Sequence, residues 1–237
     1  MHNTLTIALK EVRTYVASPV AYVIACVLLA LTGYYFAAGV SAPFAEASIR
    51  GYLLPSTFIM VVIAPMLTMR LLAEEQKMGT VELLLTAPVR DHEVVLGKFA
   101  ASFAIIVGTL ALTLYYVILL YWFGDPDTGP VLSGYLGFLL YSAAAISIGI
   151  MASSLTSNQI VAAVLGFGIL LILVSIDQIS PLLTGIPAQV LLELSLSNHF
   201  QDFARGIIDT GDVIYYLSVT ALFLFLAVRS LESRRWR

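Results

Sequence analysis

Six stretches of the chain consist almost entirely of apolar residues, and more polar segments separate them. The stretches cover residues 16–40, 52–72, 99–123, 133–153, 159–176 and 213–228. A bilayer core about 30 Å thick is crossed by roughly 20 apolar residues in a helix. The pattern therefore predicts an all-α integral membrane protein with six transmembrane helices, of which the last two are the shortest.

The basic residues lie mostly on one side of these spans. Ten of the twelve lysines and arginines precede the first span, separate the second from the third, or follow the sixth. The other side holds only Arg50 and Arg205, together with eight acidic residues. Loops rich in Lys and Arg stay in the cytosol, so both termini are expected to be cytosolic. The first apolar stretch is too long for a signal peptide, whose apolar region has about 7–15 residues.

Composition supports the membrane assignment. Of 237 residues, 59% are apolar and 11% are charged, whereas soluble domains carry roughly 25% charged residues. The spans leave no room for a nucleotide-binding domain, so residues 1–237 are expected to form one transmembrane domain. The single cysteine, Cys26, has no partner for an internal disulfide and is interpreted as a packing residue.

The segment before the first span has helical periodicity. Leu5, Ala8, Leu9, Val12 and Val16 share one face, and Asn3, Lys10 and Thr14 share the other. This pattern predicts an amphipathic helix in the cytosolic interface, with the basic side chains of Lys10 and Arg13 near lipid phosphates. A simple extension of the first span is the alternative.

The connection over residues 73–98 is the most polar part of the chain. Gly79 suits a helix end and Thr80 a new helix cap, so a two-turn helix is predicted over residues 81–87. Pro88 would end it, and Asp91 would cap the next helix. Val81, Leu83, Leu84 and Leu85 make this helix unusually apolar for a cytosolic surface. They need a partner surface, or they pack on lipid and the chain's own span ends.

The connection over residues 177–212 is apolar but interrupted by Pro181, Gly185 and Pro187. It is too short and broken to cross a membrane, which favours a re-entrant or interfacial helical segment. A short helix is predicted next, over residues 198–206, ending at Gly206. His199 and Asp202 suggest a metal or proton site, but two such residues without further ligands are more often ordinary interface groups.

The spans themselves carry no evident chemistry. Gly97-Lys98 is followed by Phe99 and lacks the upstream glycine of a phosphate-binding loop. No ionisable group lies in the middle of a span, as a proton-coupled carrier would need. We therefore predict no catalytic residue, no metal site and no cofactor in this chain. Ala162 and Gly166 have the small-xxx-small spacing of close helix packing, within the bundle or at a dimer seam.

Two blocks of sequence resemble a known family. The first is Glu74-Glu75, Gly79-Thr80-Val81-Glu82-Leu83-Leu84-Leu85-Thr86-Ala87-Pro88 and Gly97-Lys98. The second is His199-Phe200 through Arg205-Gly206-Ile207-Ile208-Asp209, followed by Tyr215-Tyr216-Leu217 and Arg229-Ser230-Leu231-Glu232. Both are similar to type-2 ABC transporter permeases, and most similar to the branch with gliding-motility and nitrous-oxide-reductase-maturation permeases.

The resemblance implies the membrane half of an exporter in a prokaryotic cytoplasmic membrane. Two permease copies, identical or paralogous, would work with two ATPase subunits that bind ATP and Mg²⁺. A further extracytoplasmic subunit and membrane lipid are expected partners, and nucleic acid is not. The implied ATPase contacts are Glu74, Glu75, Lys77, Gly79, Thr80, Val81, Glu82, Leu83, Leu84 and Pro88, beside an interface helix with Leu5, Leu9, Lys10, Val12 and Arg13. The implied outer gate consists of Pro181, Pro187, His199, Phe200, Arg205 and Gly206.

Two other functions compete with this one. A membrane scaffold would transmit force or assemble a complex without moving a substrate. A self-sufficient carrier or channel would suit the composition, but it leaves the leucines over residues 83–85 unexplained.

Overall fold

The computed structural model describes residues 2–41, 48–79, 90–182 and 185–234. The helices, in chain order, are α1 His2–Ala17, α2 Pro19–Val40, α3 Arg50–Thr68, α4 Ala73–Lys77, α5 Asp91–Phe123, α6 Thr128–Leu155, α7 Gln159–Ser175, α8 Ile186–Leu194, α9 Leu196–Ala204 and α10 Thr210–Arg234. Two 3₁₀ turns, Ile176–Gln178 and Ser180–Leu182, follow α7. Within the described ranges the regular structure is entirely helical, which confirms the all-α prediction.

Six helical segments are long and apolar enough to cross a membrane: Pro19–Val40, Arg50–Lys77, Asp91–Phe123, Thr128–Leu155, Gln159–Gln178 and Thr210–Ser233. They correspond one to one to the predicted spans, and the protein is a multi-pass membrane protein. All but the first are longer than the predicted spans, the third and sixth by eight residues each. At 1.5 Å per residue, the 33 residues of α5 extend about 50 Å. Because a bilayer core is about 30 Å thick, α5 projects beyond it.

The second span has a break that the sequence pattern did not predict. α3 ends at Thr68, and turns at residues 69–72 connect it to α4. The side chain of Ser153 satisfies the backbone there, because its Oγ accepts from the N–H groups of Leu72 and Ala73 and donates to the carbonyl of Met69. Backbone polar groups in an apolar interior need such partners, and one serine of α6 supplies them.

The core lies along α3 and α6. In the most apolar window of each span, 72% of the α6 residues and 67% of the α3 residues are buried, against 17% for α2 and 22% for α7 and α10. Small residues permit this close packing: an added Cβ at Gly149 would overlap the side chain of Thr68. The outward faces of α2, α7 and α10 are apolar, as expected for surfaces in contact with lipid.

The small residues of α7 contact helices of the same chain. Ala162 is buried, and a Cβ at Gly166 would lie 3.3 Å from Pro65 and 3.5 Å from Ala152. Ala162 and Gly166 were predicted to serve packing within the bundle or a dimer seam. The contacts observed for them are contacts within the bundle.

The bundle has two chemically distinct ends. One end, here called the basic end, holds α1, α4, the start of α5 and the end of α10. At this end Gln76 and Ser230 both donate to the carbonyl of Ser154. The opposite, acidic end holds the start of α3, the 3₁₀ turns, α8 and α9. Both terminal helices thus reach the basic end. The placement of this end on the cytosolic side of the membrane stays a prediction.

Candidate functional site

Three charged side chains meet at the basic end. Lys98 of α5 is 2% exposed, and its Nζ donates to Glu11 Oε1 of α1 at 3.0 Å and to Glu75 Oε1 of α4 at 2.7 Å. Charge-assisted hydrogen bonds of this length are among the stronger polar contacts in proteins. The charge triad, as we call Glu11, Glu75 and Lys98, connects three helices that are far apart in sequence.

α1 packs lengthwise against the first turns of α5, and the two run in the same direction. Near the start of α1, Asn3 Nδ2 donates to Glu93 Oε2 at 3.2 Å. Near its end, the Tyr15 phenol donates to the Leu67 carbonyl at 2.7 Å. The same phenol lies 3.4 Å from Ser102 Oγ. Burial raises the pKa of the Tyr15 phenol well above its usual value, so it remains a donor. α1 is therefore fixed at both of its ends.

The exposed side of α1 differs in part from the predicted apolar face. Leu5, Leu9 and Val16 are exposed, but Ala8 and Val12 are half-buried toward the protein. The protein-facing side includes Glu11 because this carboxylate pairs with Lys98. Lys10 and Arg13 are exposed, and the placement of α1 in the lipid interface stays a prediction.

Gly97 explains how α1 comes so close to α5. A Cβ at this position would lie 2.8 Å from Ile7 Cγ2 and 3.1 Å from the carbonyl oxygen of Thr4. Only glycine leaves room for that contact, and the next residue is Lys98. The Gly-Lys pair thus combines a close helix contact with a buried ion pair, which differs from the phosphate-loop role already excluded.

Replacing Gly97 with alanine is expected to destabilise the protein by about 1–3 kcal/mol, because overpacking forces neighbours to shift. Gly108→Ala on the same helix is the matched control, since its Cβ would meet no atom within 4 Å. Both changes gain similar helix propensity, so their difference reports the contact with α1. The midpoint of thermal unfolding in detergent measures it. Equal midpoints for the two variants would contradict this packing.

The predicted coupling residues Thr80, Val81, Glu82, Leu83, Leu84 and Pro88 lie outside the described residues. The two flanks of that segment are described. On one flank Gly79 has φ +70°, the left-handed conformation predicted for a helix end. On the other, the Arg90 N–H donates to Glu93 Oε2 at 3.1 Å. Arg90 therefore occupies the cap position, and the prediction that Asp91 caps α5 is wrong, because Asp91 is already its first helical residue.

The remaining predicted ATPase contacts lie beside the charge triad. Glu74 pairs with Arg70 at 2.9 Å, and Lys77 is exposed. A cavity of about 270 Å³ opens between α1 and the α3–α4 junction, lined by the triad together with Lys10, Arg70 and Glu74. Three cations and three carboxylates thus surround one opening at the basic end.

At the acidic end, α9 is buried in the bundle. Phe200 and Phe203 are 1% and 0% exposed, and a Cβ at Gly137 of α6 would overlap the Phe203 ring. Arg50 and Ser133 bind the last carbonyls of α9: Arg50 Nε donates to Ala204 O at 2.7 Å, and Ser133 Oγ donates to Phe203 O at 2.7 Å. A buried helix end requires such partners.

The other predicted outer-gate residues are spread around α9. Pro181 lies in a 3₁₀ turn and Pro187 in the first turn of α8, both exposed. Gly206 has φ +92° just beyond α9, close to the predicted helix end. Arg205 is 60% exposed on its side chain.

His199 pairs with a carboxylate of the following helix. Its Nδ1 lies 2.6 Å from Asp212 Oδ1 of α10, and its Nε2 lies 3.0 Å from the Glu193 carbonyl oxygen of α8. Asp202 lies on the same short helix but is 3.7 Å from Arg205 instead. The structure therefore does not bring His199 and Asp202 together into one site. Among the described residues, no group of three or more His, Cys, Asp or Glu side chains could hold a metal ion.

Residues 5–230 match the family described as ABC-2 family transporter protein. The chain belongs to this family. The protein described as "Probable multidrug ABC transporter permease YbhS" from Escherichia coli strain K12 is 31% identical over 107 residues, which are 45% of this chain and 28% of that protein. YbhS of Escherichia coli O157:H7 matches to the same extent. The match thus spans less than a third of the length of these curated relatives.

Membership of the ABC-2 family confirms the predicted type-2 ABC permease family, and it identifies the chain as a membrane component of an ABC transporter. Described residues from both sequence blocks that carried the resemblance take part in buried polar contacts. The first contributes Glu75 and Lys98 to the charge triad, and the second contributes His199.

Three residues of this ABC-2 family chain were missed by sequence reasoning. Glu11 was read as part of an interface helix, Arg50 as an isolated outer charge, and Asp212 as one of several outer acids. A signal existed for Asp212, since an acidic side chain in the first turn of a helix is favoured by the helix dipole. Nothing local distinguishes Glu11 or Arg50, because their partners lie 87 and 154 residues away.

Proposed function

We propose that this chain is the membrane-spanning permease subunit of an ABC exporter, in which a separate ATPase subunit hydrolyses ATP. The observation that carries the proposal is the charge triad, which joins α1 to both helices flanking the segment over residues 80–89. That segment carries the predicted coupling helix, and it connects α4 to α5. A force applied to it would act on α1, α4 and α5 together.

The physical basis is the stiffness of the three contacts. Lys98 is buried, and Gly97 lets α1 lie against α5 without a gap. Packed interiors transmit strain because they compress little. Movement of the coupling segment would therefore reach the second and third spans directly, and the path between two permease copies would change. The chain itself would be a non-catalytic transport subunit.

The assembly follows from the same proposal. Two permease copies and two ATPase subunits would meet at the basic end, which would face the cytosol of a prokaryotic cell, with both termini on that side. ATP and Mg²⁺ would bind the ATPase subunits. The branch with gliding-motility and nitrous-oxide-reductase-maturation permeases remains our proposed placement within the family. The absence of charge from the middle of the spans, and the description of YbhS as a multidrug permease, support an apolar or lipidic cargo.

The coupling role is tested by reversing the character of two side chains, with Leu84→Glu and Glu82→Lys in one variant. We expect ATP hydrolysis to lose its response to substrate in lipid vesicles, by about tenfold or more, because the apolar contact with the ATPase is lost. The measurement is the ATPase activity of the complex purified with its ATPase subunit, which is sought among the products of the neighbouring genes.

Leu155→Glu is the control, since Leu155 is an exposed leucine at the same end, 51% accessible, outside the coupling segment. Normal transport and normal co-purification of the ATPase with both positions reversed would refute the coupling role. An ATPase that co-purifies but is never stimulated by any cargo, while the complex still assembles, would favour a scaffold or force-transmitting subunit over an exporter.

A further inference from the structure

A buried histidine joins three consecutive helices at the acidic end. His199 of α9 contacts Asp212 of α10 through Nδ1 at 2.6 Å and the Glu193 carbonyl of α8 through Nε2 at 3.0 Å. Its ring stacks on Tyr215, with centroids 3.9 Å apart. His199 is 8% exposed and Asp212 is 7% exposed. Both ring nitrogens are therefore committed to contacts with other helices.

The two partners require His199 to donate on both sides. A backbone carbonyl only accepts, and an ionised carboxylate only accepts. A neutral imidazole has one N–H, so it satisfies one of these partners and turns a lone pair toward the other. The doubly protonated imidazolium satisfies both. With all three helices in place, the imidazolium is therefore the form of His199 that satisfies both partners.

Helix dipoles act on both partners. Asp212 lies in the first turn of α10, where a negative charge is stabilised, and Glu193 lies in the last turn of α8, where a positive charge is stabilised. These two helix ends favour an anionic Asp212 and a cationic His199, whereas the first turn of α9, where His199 itself lies, opposes the cation. The stacked Tyr215 ring adds a favourable face for a cation.

The other ionisable groups near His199 come from each neighbouring element. Glu193 of α8 has Oε2 3.9 Å from Nε2, and Tyr216 of α10 has its ring centroid 6.4 Å away. The remaining groups on the surrounding helices and turns are Arg50, Tyr141, Asp177, Asp202, Arg205 and Asp209. The two charged groups within 4 Å of His199 are both carboxylates, which favours the cation.

α8 is the helix that depends most on this contact. It has no buried residue, and it is attached by few side-chain hydrogen bonds: His199 to Glu193 O, Tyr215 to Leu194 O at 2.8 Å, and Ser180 to Ala188 O at 3.0 Å. α9, in contrast, is buried among aromatic side chains. Elements with few buried contacts open with the smallest free energy.

We propose that His199 and Asp212 form a proton-binding site that holds α8 against the bundle. When the bound proton leaves, the remaining N–H stays on the ionised Asp212, and the Glu193 carbonyl loses its donor. α8 is then released from α9, while α9 and α10 stay together. The ligand of the site is a proton from the side of the membrane that the acidic end faces.

The test measures how fast a cysteine on α8 reacts with a membrane-impermeant maleimide at different pH values. Leu192→Cys, on the half-buried side of α8, is placed in a Cys26→Ser background of the full-length protein. Its rate is divided by that of Phe123→Cys, an 83% exposed position at the same end, which removes the pH dependence of the thiol reaction. The ratio should rise about tenfold between about pH 5 and about pH 8, the range in which histidine sites titrate.

Three variants separate the proton site from a merely structural contact. In the Asp212→Asn variant, the new side-chain amide donates to His199 Nδ1, and the neutral imidazole donates through Nε2 to the Glu193 carbonyl. The labelling ratio of this variant should therefore stay low at every pH. His199→Leu removes the donor, so its ratio should stay high at every pH. Asp202→Asn, an equivalent change on an exposed carboxylate, should follow the unmodified protein.

A flat ratio in the unmodified protein would overturn the proposal, as would an Asp212→Asn variant that titrates like it. If the His199→Leu variant fails to accumulate, the pH dependence of labelling in the Asp212→Asn variant alone tests the proposal, because that variant keeps every polar contact of the site. The labelling needs neither ATPase nor cargo, so its result is independent of the proposed transport function.

Discussion

Replacing Lys98 with methionine is expected to destabilise the protein by about 3–5 kcal/mol, the cost of leaving a buried ion pair without one partner. Methionine has a similar length and suits an apolar site, so the loss comes from charge rather than from a cavity. Glu11 Oε1 and Glu75 Oε1 both contact the same ammonium. Without it, two partly buried carboxylates repel each other where α1, α4 and α5 meet. The midpoint of thermal unfolding, followed by circular dichroism in detergent, measures the effect.

Lys77→Met is the matched control for this prediction. Lys77 is exposed on α4, and removing an exposed charge changes stability by less than about 1 kcal/mol. The triple variant Lys98→Met, Glu11→Gln, Glu75→Gln should recover much of the lost stability, because neutral amides tolerate the missing cation. Should Lys98→Met unfold at the same temperature as Lys77→Met, the charge triad has no structural role. Recovery by the triple variant distinguishes charge repulsion from lost packing.

The six spans were predictable because each is long enough to cross a membrane on its own. Apolar runs of about 20 residues have few alternatives in water or lipid, so all six were found, with errors confined to their ends. One such end is the start of the third span. Its apolar run begins at residue 99, but the helix extends back to Asp91, as the predicted cap near that residue required, because α1 and Glu75 cover its polar first turns and Lys98 is neutralised there. A prediction from hydropathy alone ends a span at the first charged residue, even where the helix continues.

The charge triad was not predictable from local pattern. Glu75 and Lys98 were singled out by resemblance, but their mutual contact depends on how α4 and α5 are packed. Glu11 is one polar position on a helix whose exposed side mixes apolar residues with Lys10 and Arg13, so its inward orientation has no local signal. The apolar face predicted for α1 was therefore only partly correct: Leu5, Leu9 and Val16 point outward, and a glutamate points inward.

The acidic end shows a second limit of sequence reasoning. The short helix before Gly206 was predicted to within two residues, because its amphipathic pattern and terminal glycine are local signals. The partner of His199 was not predicted, since Asp202 is nearer in sequence but Asp212 is brought closer by the turn into α10. Arg50 was assigned no role, and its partners follow 154 residues later.

Replacing Arg50 with methionine is expected to destabilise the α9 region by about 2–3 kcal/mol. Arg50 Nε donates to Ala204 O at 2.7 Å and Nη2 donates to Arg205 O at 3.3 Å. Hydrogen bonds from charged donors contribute about 1.5–3 kcal/mol, and a cation at a helix C-terminus adds a favourable dipole interaction. Loss of the guanidinium leaves these carbonyls at the end of a buried helix without that donor. Hydrogen exchange of the α9 amides, with thermal unfolding, measures the loss.

Arg50→Lys distinguishes geometry from charge in this prediction. A lysine ammonium is a single point on a flexible stem and does not reproduce the two-pronged contact of a guanidinium. We therefore expect an intermediate loss, with the cation still near the end of α9. Arg205→Met is the control, since its side chain is 60% exposed and its ion pair with Asp202 is 3.7 Å long, and such pairs contribute little. If Arg50→Met exchanges its α9 amides no faster than Arg205→Met, Arg50 does not hold this helix, and its burial by the bundle alone fixes α9 in place.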